Sequence, residues 1–225
     1  MCIRDRDYVF VHRSQMDAFV KTAKAWAAEH LRDIHDKDYS CVIDDRSFKR
    51  LQTTLQDAEE KGARIINLHG DQKPDASKRK MPLQLVLDTT PEMTIRQRET
   101  FGPVLTVLPY DRPEDVIDYV RSHDRPLAMY PFSKNRQLVD RYVTQIMSGG
   151  VTVNDALYHV AQHDLPFGGV GASGMGHYHS REGFETFSKL RPVFEQAPFS
   201  AMKLLQPPYG RFADRVYGLL VKLKA

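Results

Sequence analysis

Cysteine is scarce: Cys2 and Cys41 are the only two among 225 residues. Neither stands near a Cys/His pairing at metal spacing, which excludes a disulfide framework and a zinc module. Such usage suits a reducing, cytoplasmic setting. Long apolar runs are missing as well. No stretch approaches the roughly 20 residues that a spanning helix needs, and the charged start carries no apolar signal core. Charge of one sign is not concentrated either, with 32 Lys and Arg mixed among 29 Asp and Glu for a formal +3. A nucleic-acid binder would show a basic patch or stripe, so no nucleic-acid partner is expected. The sequence also lacks internal repeats, a Walker loop with its Lys-Ser/Thr, and a dinucleotide fingerprint between a strand and a helix.

What is present alternates between the two hydrophobic periods. "DYVFVH" reads as a strand. Ser14 is placed to cap a following helix, with Asp17 as its capping-box partner, and Met16, Phe19, Val20, Ala23, Ala27 and Leu31 form that helix's apolar stripe. A second helix is predicted after Asp44-Asp45, burying Phe48, Leu51, Leu55 and Ala58 and stopping at Gly62. "ARIINL" is a strand, and the polar "HGDQKPDASKRK" after it is a surface loop. "PLQLVLD" and "VLTVLPY" are nearly continuous apolar strands, as expected where both faces are covered. Pro113 opens a helix, "LAMYPF" is a strand, Ser133 caps another helix, and "VTVN" is the last strand of the series.

Strand-helix alternation predicts an α/β fold with a parallel sheet. Ligands in such sheets lie at the carboxyl ends of strands, which directs attention to Asn154 and to "ETFGPVL" at 99–105. A second unusual stretch, "PFGGVGASGMGHYH" at 166–179, is glycine-rich without phosphate-loop spacing and reads on its own as either a tight connection or a site. His163, Asp164 and Ser173 near it lack the nucleophile elbow of a hydrolase. His177 and His179 form a His-x-His pair with no third ligand in view, so no metal is expected.

In order and spacing, "ETFGPVL", "SGGVTVND", "LPFGGVGASGMGHYHSREGFETFS" and "RPVF" resemble the aldehyde dehydrogenase superfamily. "NDALYH", "GGVGASGMGHYH" and "PPYG" are most similar to its coniferyl-aldehyde and class 3 (fatty aldehyde) branch. The resemblance implies an NAD- or NADP-dependent oxidoreductase that converts a small-molecule aldehyde to its acid through a cysteine thiohemiacetal. It implies a cofactor-binding role for Glu99, at the nicotinamide ribose, and for Phe101, against the nicotinamide ring. Asn154 would stand at the substrate end of the pocket, with His159, Phe167 and Tyr178 lining the aldehyde channel; for His159 and Tyr178 a plain core role stays open. The complete enzyme is expected to be a homodimer.

The family's nucleophile stands in a Cys-x-x-Pro-Asp-Tyr pattern. Aligned on Asp7-Tyr8, Ile3 falls at the cysteine and Arg6 at the proline, so Cys2 misses by one residue. Residues 1–6 are therefore expected to be a non-native leader, 7–186 part of the catalytic domain truncated at its N-terminal side, and 187–225 a C-terminal strand and tail that contacts the partner subunit. With the nucleophile and general-base glutamate missing, no catalytic residue is expected to be intact and the chain alone is expected to be inactive. A non-catalytic binding or assembly subunit is the alternative. Phe212, Val216, Leu219, Leu220 and Leu223 recur at helical spacing in the tail, which is expected to dock on protein, with contact at a membrane surface as the second reading.

Overall fold

The computed structural model describes residues 8–198, 200 and 205–224. Cys2, and with it the expected leader 1–6, lies outside the described residues. Two compact units are distinguished, Met1–Phe187 and Ser188–Ala225.

The larger unit is built on a four-stranded sheet in the order β1-β4-β3-β2, from β1 (Tyr8–His12), β2 (Arg64–Asn67), β3 (Gln84–Leu87) and β4 (Val104–Tyr110). β1 and β3 flank β4 in parallel. β2 runs antiparallel to β3, with Ile65 opposite Val86. The physical reason lies in the connection. Parallel neighbours need a long crossover, usually a helix, and the polar segment from Leu68 to Leu83 has none. It turns straight back, tied by the Leu68 N–H to the Leu83 carbonyl at 2.9 Å. The parallel α/β expectation thus holds for the central strands, with one antiparallel edge.

Both sheet faces are covered, as the unbroken apolar strands imply. Alternate residues of β3 point to opposite sides: Val86 joins Phe48, Leu51, Leu55 and Ala58 of helix α2 (Asp45–Glu60) in one cluster. Leu85 and Leu87 join Ala27 of helix α1 (Met16–His30) and Val107 in another. All four residues of β3 are buried. Each fully buried Leu or Val here contributes roughly 1.5–3 kcal/mol.

Helix α3 (Pro113–Arg121) follows β4, with Asp115 accepting the Arg112 N–H at 2.8 Å. Beyond it, β5 (Ala128–Met129) and β6 (Gly150–Val151) pair in parallel as a separate two-stranded sheet, joined through helix α4 (Arg136–Gln145). The strands read in "LAMYPF" and "VTVN" therefore shrink to two residues each and do not enter the main sheet. Short helices α5 (Tyr158–Ala161) and α6 (Ser180–Thr186) complete the unit.

Two expected caps are replaced. Ser14 does not cap α1: its hydroxyl lies 2.8 Å from His12 Nδ1, within a one-turn 3-10 helix that precedes α1. Asn135, not Ser133, caps α4 by accepting the Leu138 N–H, while the Ser133 hydroxyl accepts the Asn135 N–H. In both places a polar turn ahead of the helix takes up the serine before the first helical residue is reached. Asp44 does cap α2, accepting the Ser47 N–H at 2.6 Å.

In the smaller unit, residues 189–197 carry no regular secondary structure in this single chain. A strand exists only when a neighbour completes its ladder. Helix α7 (Arg211–Lys224) follows, and the Tyr217 hydroxyl reaches the Leu205 carbonyl at 3.4 Å.

A clamped carboxylate-aromatic loop and an aromatic cluster

Glu99, Thr100, Phe101 and Gly102 form a tight loop leading into β4. It lies at the amino end of that strand, because Gln84 at the start of β3 pairs with Val104. The carboxyl-end rule thus fails for this segment, although Asn154 does follow the carboxyl end of β6. Phe101 has φ +47° and is 70% exposed. A non-glycine residue in the left-handed region persists only where the surroundings dictate it. Here they do. Arg50 of α2 donates from Nη1 to the Glu99 carbonyl at 3.2 Å and from Nη2 to the Thr100 carbonyl at 2.7 Å. The buried Thr100 hydroxyl donates to the Val104 carbonyl at 3.2 Å. On the far side of Phe101, a Cβ at Gly102 would come within 2.4 Å of Leu51 Cδ1, so only glycine seats there without displacing a core side chain. The loop presents a half-buried carboxylate, Glu99, two residues from an outward aromatic.

The remaining site candidates lie around β6. Asn154, with φ +58°, accepts the Ser133 N–H at 2.8 Å and donates to the Ser133 carbonyl at 3.2 Å. Its amide is spent bracing the segment after β5. His159 is buried at 8% exposure; its Nδ1 lies 2.8 Å from the Thr152 hydroxyl oxygen, which also accepts the His159 N–H. Its Nε2 is buried with no hydrogen-bond partner among the described residues. Burial pushes the imidazole below its ordinary pKa of 6.5, so it stays neutral near pH 7. Its ring lies so close to Gly150 that a Cβ there would meet Cδ2 at 2.4 Å.

Phe167 and Tyr178 bond each other's backbone at 2.9 Å in both directions, closing the glycine-rich segment into a loop. Their rings meet edge to face at 5.3 Å, and Phe167 lies 6.0 Å from the ring of His159. His159, Phe167 and Tyr178 therefore belong to one aromatic cluster, which Tyr130 and His179 extend. Glu99 and Phe101 belong to the other loop. Ser173 is fully buried and engaged with Val170, which removes it as a hydrolytic nucleophile.

Sequence reading missed Arg50 and Thr152, and placed Leu51 in the core without its contact at position 102. Nothing in the sequence signals a guanidinium whose partners are backbone carbonyls about 50 residues away.

The mixed sheet, the clamped loop and the folded glycine-rich segment define part of an α/β domain. The chain belongs to the aldehyde dehydrogenase family, whose model matches residues 2–193. It is 42% identical over 218 residues to a "Probable coniferyl aldehyde dehydrogenase" of Pseudomonas aeruginosa, covering 96% of this chain and 45% of that protein. It is 36% identical to "Aldehyde dehydrogenase family 3 member A2" of Mus musculus, covering 90% of this chain and 41% of the relative. Among solved structures, a substrate-bound AldH of Staphylococcus aureus superposes with a TM-score of 0.77 at 29% identity, covering 95% of this chain and 46% of that one. The chain thus spans about 45% of the length of curated relatives it matches. Among the described residues, no helix is long and apolar enough to cross a membrane.

Proposed function

We propose that this chain supplies the C-terminal part of the catalytic domain of an NAD- or NADP-dependent aldehyde dehydrogenase, which oxidises a coniferyl-type aromatic or a long-chain aldehyde to its acid. The observation that carries the reading is the fixed loop with Glu99 and the outward Phe101. A carboxylate that only accepts hydrogen bonds suits the paired hydroxyls of a ribose, and an exposed aromatic face suits a flat, electron-poor ring. These residues fit a nicotinamide riboside. Glu99 would hold its sugar and Phe101 would face its ring, and the group so held would supply the hydride acceptor for aldehyde oxidation. His159, Phe167 and Tyr178 form an aromatic wall suited to a planar or long apolar aldehyde, and Asn154 acts at that end by bracing Ser133. The working protein is a cytoplasmic homodimer. Covalent oxidation needs a thiolate at the aldehyde, and the family pattern puts Ile3 at that position. The chain by itself therefore turns over no aldehyde.

The test uses nicotinamide mononucleotide, which carries only the half of the cofactor assigned to this loop, with NMR of the labelled chain. We expect weak, millimolar binding with shifts confined to Phe101 and its neighbours. Glu99→Gln should weaken it roughly tenfold or more, since hydrogen bonds to a charged group contribute about 1.5–3 kcal/mol. Absence of any shift around Phe101 would remove the cofactor assignment. NADH formation from coniferyl aldehyde above background would overturn the predicted inactivity.

A further inference from the structure

We propose that Arg50 is the positioning residue of the Glu99-Phe101 loop: it acts on the cofactor only through the backbone that carries those two side chains. The inference rests on the cofactor reading for its functional meaning, but its geometry stands alone. A guanidinium is a rigid planar fork, and here its two arms take successive carbonyls, those of Glu99 and Thr100. Two adjacent peptide planes are thereby fixed in orientation, immediately before the residue held at φ +47°.

The next residue in α2, Leu51, is 1% exposed and occupies the space where a side chain at position 102 would sit. Consecutive residues of one helix thus hold both flanks of Phe101, one by hydrogen bonds and one by contact. Leu51 is anchored in the cluster with Phe48, Leu55 and Val86. The loop is therefore referenced to the sheet through α2. Arg50 has no carboxylate among the ion pairs of the described residues, so its charge is turned onto the loop carbonyls. A lysine there could donate to either carbonyl but cannot present two donors in a fixed fork.

Amide hydrogen exchange of the full chain, read by mass spectrometry on peptides spanning 96–106, tests this in the wild type, Arg50→Lys and Arg50→Met. Melting curves and exchange of the β3 and α1 peptides report the rest of the fold. In Arg50→Met we expect exchange of the loop to accelerate roughly tenfold or more, the factor that corresponds to losing charge-assisted hydrogen bonds. Exchange elsewhere should be unchanged, and Arg50→Lys should fall between. Unchanged loop exchange in Arg50→Met overturns the proposal. So does acceleration spread over β3 and α1 with a lowered melting point, which would mark a general structural role. Adding nicotinamide mononucleotide separates the two readings. A loop freed in Arg50→Met but unprotected by the mononucleotide in the wild type supports positioning and defeats only the cofactor assignment.

Discussion

At the scale of single residues, the molecule keeps two buried histidines neutral. His69 accepts the Leu83 N–H on Nδ1 at 3.1 Å, and its Nε2 is buried without a partner among the described residues. Burial lowers its pKa below 6.5, partly opposed by Asp33. His159 is lowered by burial too. The sign follows from linkage. Below 6.5 the unfolded chain takes up protons at both positions while the folded chain resists them, so stability is fully present above 6.5 and is lost as the pH falls through the lowered folded values. Melting temperature should therefore drop from about pH 7 to about pH 5, and the His69→Gln/His159→Gln pair should show a smaller drop over that window. An equal drop in the paired variant would show that other groups carry the acid sensitivity. The site residues were legible in the sequence as types: a carboxylate and an aromatic around a Gly-Pro turn, and aromatics in a glycine-rich stretch. Their anchoring was not. Asn154 reads as a polar group facing substrate, and only the fold shows both ends of its amide bonded to Ser133.

At the scale of elements, helix α2 was legible from end to end. Asp44 caps it, and burial together with periodicity agree on Phe48, Leu51, Leu55 and Ala58. The Ser47 N–H holds the Asp44 carboxyl below the usual carboxylate range. Asp44→Ala removes the acceptor of the Ser47 N–H and should lower the melting temperature by about 2–4 °C at this chain length. Ser14→Ala should stay within about 0.5 kcal/mol, because that serine caps nothing. Paired thermal melts of the two variants check the contrast, and a larger loss for Ser14→Ala would contradict the cap assignment. The direction of β2 was not legible. Alternation of strand and helix implied parallel neighbours, but direction depends on whether the intervening chain crosses over, and a polar loop gives no periodic signal either way.

At the scale of the whole molecule, the larger unit exposes many large apolar side chains, among them Phe101 at 70%, Met175 at 89%, Phe184 at 74% and Phe187 at 85%. Soluble monomers keep contiguous exposed apolar area to a few hundred Å². The chain should bind a hydrophobic-surface dye in its native state and self-associate as concentration rises. Sedimentation velocity over a concentration series, with dye fluorescence, measures both; a monomer at all concentrations with no dye signal would contradict this. The family resemblance implied exposed surface of this kind, but the hydrophobic periodicity did not, since an apolar residue at helical or strand spacing reads as core whether or not anything covers it.

The sequence by itself determined the class of fold, the faces that α1 and α2 bury, and the motifs that assign the chain to its family. These depend on periodicity and on residue types at short spacing, which the linear order preserves. The tertiary structure decided the antiparallel edge, the separate two-residue strands, and the hold of Arg50 and Leu51 on the loop that opened as "ETFGPVL". Those depend on contacts between distant segments, where one partner is a backbone carbonyl or an empty space beside a glycine, and neither leaves a residue type to read.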